Sequence, residues 1–474
     1  MTGEAAKTQK PKLRKRTKPR RSSRKQQGRT AMKLAQPPLL DGFASAETTS
    51  LGEAALTTKQ KRAVIAAALG TVVEWADWLI YATFSSILAG QFFPSHDKTA
   101  NLLSILAVFA VGFAARPVGG AVLGAFGDRY GRKRGLTLSV SLMAGASFII
   151  GICPTYETIG VTAPIVLVIA RLVQGFSAGG EFGSASTFLI ESAPKDRRAF
   201  VGAWQHLAVN AGVMVAASLG LAMTFLADDE GMRTWGWRAG FITAGAMGLV
   251  VLWIRSAVAE SEIFMHRAAT QGRNVNPFRT LLGKHRGATF RVIGIAMAGN
   301  LLNYLWLVHY PTFIHVQTGM PLQYALLASI IAIGVSLLII PSLGKLADRI
   351  GRKPVLLGFA LGSAMFAWPS FALVANDFGR ILLLNVIAMS LLSGFAATCA
   401  TVMAEQFPAE VRATGVGFPF ALSVTIFGGT APYISTALAS WGYGTYTWIY
   451  VAAVCLTSAA VYATMPETKG KELN

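Results

Sequence analysis

Cysteine is scarce: Cys153, Cys399 and Cys455 are the only three in 474 residues, and they lie far apart in apolar stretches. That spacing excludes a disulfide framework and a clustered thiolate metal site, and it leaves the three as small packing residues. Charge is scarce as well. Asp, Glu, Lys and Arg make up 14% of the chain, against roughly 25% in an ordinary soluble domain. Acids are the rarer sign, 23 against 43 bases. A formal charge of +20 spread over a folded surface would point to nucleic acid. Here 13 Lys or Arg and a single acid, Glu4, fall between Met1 and Lys33, so the tail alone carries +12, and no nucleic-acid partner is expected. A nucleophile set beside a base, a metal-ligating cluster and a phosphate loop are also missing, which excludes the common enzyme classes and a bound cofactor.

Residues 1–58 are rich in Lys, Arg, Ser, Thr, Gln and Pro, a composition that buries too little apolar surface to order itself. The stretch from Leu34 to Leu40 is short and broken by Pro37 and Pro38, so no cleaved secretory signal is expected. Basic side chains in this tail suit anionic lipid headgroups; Met32 is an alternative start that would remove the first 31 residues.

What the chain has in abundance is apolar runs. Hydrophobic residues make up 53% of it, mean hydropathy is +0.47, and about 20 apolar residues suffice to cross a bilayer core. Twelve runs predict twelve membrane helices at about 62–93, 101–126, 135–152, 162–190, 200–227, 237–256, 288–314, 321–347, 354–375, 380–404, 411–440 and 445–464. Connections after even-numbered helices carry Arg and Lys, as in Arg129 to Arg134 and Arg349 to Lys353, whereas those after odd-numbered helices are poor in both. The positive-inside rule then puts the basic loops and both termini in the cytoplasm. The longest connection, 257–287, divides a six-helix bundle at 59–256 from another at 288–465, with a short tail at 466–474. The halves repeat: GDRYGRK at Gly127 returns as ADRIGRK at Ala347, and ESAPKDRRA at Glu191 returns as EQFPAEVRA at Glu405.

The motif running from Gly124 to Lys133, copied from Gly344 to Lys353, resembles the loop signature of the major facilitator superfamily. EWADW at Glu74, GFAARPVGG at Gly112, RLVQGFSAGGEFG at Arg171 and WGWR at Trp235 look more narrowly like its metabolite:proton symporter family. AEQFPAEVRATGVG at Ala404 and IFGGTAPYI at Ile426 are similar to the α-ketoglutarate and citrate permease branch, and more distantly to the proline/betaine branch. Ala76 and Trp78 stand where that family usually has aromatics, Phe in the second case, and Ala239-Gly240 replaces its usual Ile-Pro. The resemblance implies an all-α, twelve-helix membrane protein in two pseudo-symmetric halves. It also implies proton-coupled symport of a small organic acid, dicarboxylate or tricarboxylate in kind, by alternating access in the cell membrane. Osmolyte uptake, efflux of a polar metabolite and a transporter-like sensor are the alternatives. The chain is read as a monomer driven by the proton gradient.

Ionisable side chains at mid-bilayer are costly, so each is a functional candidate. A rise of 1.5 Å per residue puts Glu74, Arg116 and Glu181 at one depth. Glu74, Asp77 and Tyr81 share a helical face, and Arg171, Gln174 and Glu181 form a second stripe. If those stripes meet, three carboxylates surround Arg116, and burial together with like charge would keep a proton on one of them. Glu74, Asp77 and Glu181 are therefore the expected proton carriers. Arg116, whose planar fork grips carboxylates, is the expected substrate anchor, with Tyr81, Gln174, Asn300, Asn303, Tyr304 and Asn385 around it. The plainer alternative is that Arg116 neutralises a carboxylate to hold helices together. Arg171 counts to the outer surface, where it would snorkel; His206 and His309 fit either a coupling or a merely solvated role. Asp128, Arg129, Arg132, Asp348, Arg349 and Arg352 fall in the expected cytoplasmic loops. The resemblance pairs such residues with acids at the ends of helices four and ten, here Glu191 and Glu405, as a gate of individually weak surface pairs.

Overall fold

A computed structural model describes residues 58–94, 98–226, 229–256 and 277–473; the basic tail and most of the central connection lie outside these. Twelve helices make up most of the described chain: α1 (Thr58–Thr83), α2 (Lys98–Tyr130), α3 (Arg132–Ile152), α4 (Thr162–Glu191), α5 (Arg198–Leu226), α6 (Trp237–Ser256), α7 (Arg286–Leu302), α8 (Leu322–Ile350), α9 (Arg352–Ala372), α10 (Phe378–Ala404), α11 (Arg412–Ser423) and α12 (Thr447–Thr464). Ten stretches among the described residues are long and apolar enough to cross a membrane, and α1 and α2 complete the twelve. Their outer faces are apolar: Leu338 is 78% and Met365 81% exposed, as lipid-facing side chains are.

The predicted spans coincide with the helices except at three places. The first run is two helices rather than one, because the chain breaks at Phe84, whose buried ring packs at Gly240, before Ser85–Phe92 resumes. Part of the predicted linker, Pro277–Lys284, is helical. Finally, α7 and α11 do not run on as plain α-helix. Each passes into a π-helical turn, Asn303–His309 and Val424–Gly428, before continuing as Tyr310–Thr318 and Ala431–Ser440. Such turns widen a helix locally and recur at functional sites.

The two sequence repeats are structural repeats. Gly131 and Gly351 both take φ values open to glycine, 119° and 108°, and each turns the chain sharply from one long helix into the next. Within the first half, α2 and α4 pack backbone to backbone. A Cβ on Gly175 would lie 2.0 Å from the Gly112 carbonyl, and one on Gly179 would lie 1.9 Å from that of Arg116. Only glycine permits this approach, and it carries Arg116 to the middle of the molecule.

Candidate functional site

The polar centre of the first half is built on α1, α3 and α4. Asp77 is fully buried, accepting hydrogen bonds from Ser147 Oγ at 2.5 Å and Gln174 Nε2 at 2.6 Å. Gln174 turns its other end to Arg171, whose Nη1 donates to Oε1 at 2.8 Å. Arg171 does not snorkel: it is 0% exposed, and its guanidinium lies 4.1 Å from the Trp78 ring centroid and 4.0 Å from that of Tyr81. These two aromatics, three apart on α1, make a slot that a planar cation fills. Tyr81 therefore packs on Arg171.

Arg116 occupies the seam between the halves. Its Nη1 donates to Tyr304 Oη of α7's π-helical turn at 3.2 Å, and its guanidinium lies 4.2 Å from Trp78 and 4.7 Å from Phe113. It is 5% exposed, and its Nε has no hydrogen-bond partner. Around it stand Trp75, 6.4 Å from Tyr304, and Phe113, 5.3 Å from Tyr304. Tyr304 fits because position 428 is glycine, where a Cβ would lie 2.5 Å from the tyrosine ring.

The expected ring of three carboxylates around Arg116 does not form; among the described residues no carboxylate pairs with it. Glu74 and Asp77 instead line a small cavity of about 10 Å³ with Met143 and Ser147 of α3 and Ala244 and Gly248 of α6. Glu74 stays close enough to the seam for its charge to act on Tyr304, the partner of Arg116. Glu181 is buried on α4. In the second half, Asn300 donates to Ser423 Oγ at 3.3 Å and Asn303 is buried beside Tyr304. Asn385 does not reach the seam: it accepts from Ser329 at 3.3 Å and donates to the Ile381 carbonyl at 3.0 Å.

Below this site an aromatic layer joins the halves. The Phe182 and Phe420 rings are stacked, with centroids 3.6 Å apart and planes 7° from parallel. His206, edge-on to Phe182 and Phe395, lies 3.2 Å from the Cys399 thiol. At the GDR end the predicted gate residues are buried helix ends rather than loop or surface pairs. Asp128 accepts from the backbone N–H of Ala413 at 3.0 Å and of Thr414 at 2.8 Å, at the N-terminus of α11. Asp348 accepts from Ala199 and Phe200, both at 2.9 Å, at the N-terminus of α5. Each half thus caps a helix of the other with a carboxylate, where unpaired N–H groups and the helix dipole favour one. Arg132 pairs with Asp128 and lies 3.2 Å from Glu191; Arg352 lies 3.3 Å from Asp348 and 3.4 Å from Glu405.

Arg129 and Arg349 are exposed; Arg129 lies over the Tyr130 ring and the Arg349 carbonyl accepts from Lys469. Two arginines that sequence reasoning passed over complete the latch instead. Arg412 reaches Glu191 at 2.8 Å and Arg198 reaches Glu405 at 3.9 Å. The signal was present, because both close the duplicated KDRRA and EVRA segments.

Comparison with known proteins gives the same architecture. The sugar (and other) transporter family model matches residues 63–273 and again 265–474. The alpha-ketoglutarate permease of Escherichia coli (strain K12) is 34% identical over 432 residues, 90% of this chain and 99% of that one. A glycine betaine/proline/ectoine/pipecolic acid transporter, OusA of Dickeya dadantii (strain 3937), is 32% identical over 429 residues, 87% of this chain and 84% of the other. Among solved structures, the proton:xylose symporter XylE bound to 6-bromo-6-deoxy-D-glucose superposes with a TM-score of 0.73 at 18% identity, covering 88% of this chain and 98% of its own.

Proposed function

Because this chain belongs to the sugar (and other) transporter family and is a multi-pass membrane transporter of the major facilitator type, we propose that it takes up a small organic acid with protons by alternating access. The observation that carries this reading is Arg116: a guanidinium at the seam of the halves, among aromatics, with a buried donor left over. An unpaired buried donor is costly, and a carboxylate is the ligand that a guanidinium fork fits best. Relatives include proteins named for alpha-ketoglutarate and for glycine betaine, all of whose named substrates present at least one carboxylate.

Asp77 is assigned the proton. Ser147, Gln174 and Arg171 hold its charged form, so loading a proton releases Arg171 from its counter-charge and loosens the α1–α4 contact. Glu74, beside it on the same cavity, relays, and Glu181 lies on the stripe below. With the basic loops inside, the latch of Asp128, Arg132, Glu191 and Arg412 and its copy close the cytoplasmic end. Rocking of the halves breaks both and exposes Arg116 to the cell interior. No cofactor takes part. Osmolyte uptake is the second reading, favoured by the wall of Trp75, Trp78, Phe113 and Tyr304, since aromatic faces attract quaternary ammonium groups.

The test is uptake of labelled α-ketoglutarate, citrate and glycine betaine into proteoliposomes, with and without an inward proton gradient. One probe is expected to accumulate with the gradient, and Asp77→Asn to abolish that accumulation while leaving gradient-independent exchange. Accumulation that ignores both gradient and substitution would remove the proton from the mechanism.

A further inference from the structure

We infer that Trp78 restricts the Arg116 site to substrates that present a single carboxylate, by keeping the second buried guanidinium, Arg171, behind its indole. This rests on the reading of Arg116 as the carboxylate anchor.

Two guanidinium groups lie against one ring, Arg116 at 4.2 Å and Arg171 at 4.1 Å from the Trp78 centroid, and these distances together cap their separation at 8.3 Å. Two cations so close are an anchor for a short dicarboxylate if both can be reached. Only one can. Trp78 is 2% exposed, with Phe113 edge-on to it at 5.1 Å. Its outermost carbon lies 2.9 Å from where a Cβ on Gly112 would stand, so the indole is pressed onto the α2 backbone. Arg171 is moreover committed. Its far side rests on Tyr81 and its Nη1 is spent on Gln174, which holds Asp77.

A second carboxylate on a substrate bound at Arg116 would then lie unpaired against Trp75, Phe113 and Tyr304. A buried, unpaired charge is among the most costly groups that a site can hold. The same wall suits an apolar or cationic remainder, because aromatic faces attract cations and pack against hydrocarbon. The substrate class that fits is a small acid or zwitterion with one carboxylate.

The experiment uses the full chain in proteoliposomes under an inward proton gradient, with glycine betaine, L-proline and shikimate as single-carboxylate probes and α-ketoglutarate and citrate as the others. Ligand-induced thermal stabilisation in detergent reports binding apart from transport. Wild type is expected to take up at least one of the first three and to leave α-ketoglutarate and citrate at the level of empty vesicles. Trp78→Phe, whose smaller ring opens the way to Arg171, is expected to strengthen α-ketoglutarate binding by about tenfold, and the further change Arg171→Gln to remove that gain. Uptake of α-ketoglutarate or citrate by wild type that is lost in Arg116→Gln overturns the inference and leaves the carboxylate anchor standing. So does a folded Trp78→Phe protein that binds α-ketoglutarate no better. Uptake indifferent to Arg116→Gln, or no probe that either moves or stabilises the wild type, overturns the anchor and with it the inference.

Discussion

At the scale of single residues, the two central arginines are held in opposite ways. Arg171 is sandwiched by two rings and fixed by Gln174, whereas Arg116 has one bond to Tyr304 and a spare donor. Lysine keeps the charge but not the plane that lies on both rings. Arg171→Lys is therefore expected to lower stability by about 1–2 kcal/mol, read as a fall in the thermal midpoint in detergent, while Arg116→Lys lowers substrate affinity with little change in that midpoint. Depth counting along the helices singled out Arg116, which lies at the seam of the halves, and it put Arg171 at the surface, whereas the side chain is buried. The count contains no rotation about the helix axis. It could not register that Trp78 and Tyr81 lie against Arg171 of α4, or that Asp77 is taken up by Ser147 and Gln174 and so is not spent on Arg116.

At the scale of elements, the α2–α4 contact positions the site. Gly179→Ala would drive a methyl group into the Arg116 carbonyl, 1.9 Å from the new Cβ. Backbone cannot give way as a side chain can, so a loss of at least about 1–3 kcal/mol is expected, measured as a lower unfolding midpoint and a smaller monodisperse fraction. Gly145→Ala, with nothing within 4 Å, is the control that should leave both unchanged. Helix positions were legible because twenty-residue apolar runs have one solution in lipid, and α4 and α10 begin and end within two residues of the expected bounds. The π-helical turns at Asn303–His309 and Val424–Gly428 left no such trace. One extra residue in a helical turn changes neither composition nor hydropathy; it is fixed by the fit of Tyr304 against Gly428 across the bundle.

At the scale of the whole molecule, buried polar contacts at the GDR end join the two halves. Asp128 takes two backbone N–H groups and the Thr414 hydroxyl, which donates at 2.6 Å. Hydrogen bonds to a charged acceptor contribute about 1.5–3 kcal/mol each when buried. Asp128→Asn is thus expected to move the population towards the conformer open at the GDR end, seen as longer distances between spin labels at the ends of α4 and α11. Asp348→Asn should do the same, since it loses the two bonds to Ala199 and Phe200. The motifs that build the latch were readable as duplicates. Its strength was not, because sequence spacing placed them in exposed loops where such pairs are weak, and burial is a property of the assembled halves.

The reciprocal capping has one more consequence. A contact in which position i of one half meets position j of the other, while j of the first meets i of the second, is what two identical subunits make about a two-fold axis. Here it occurs inside one chain, with Asp128 on Ala413 and Thr414 and Asp348 on Ala199 and Phe200. Tilting the halves apart with that pseudo-symmetry kept would stretch both caps together. On the proposed rocking mechanism the two caps then belong to one step, and the expected change of state is that of a toggle rather than of a zipper.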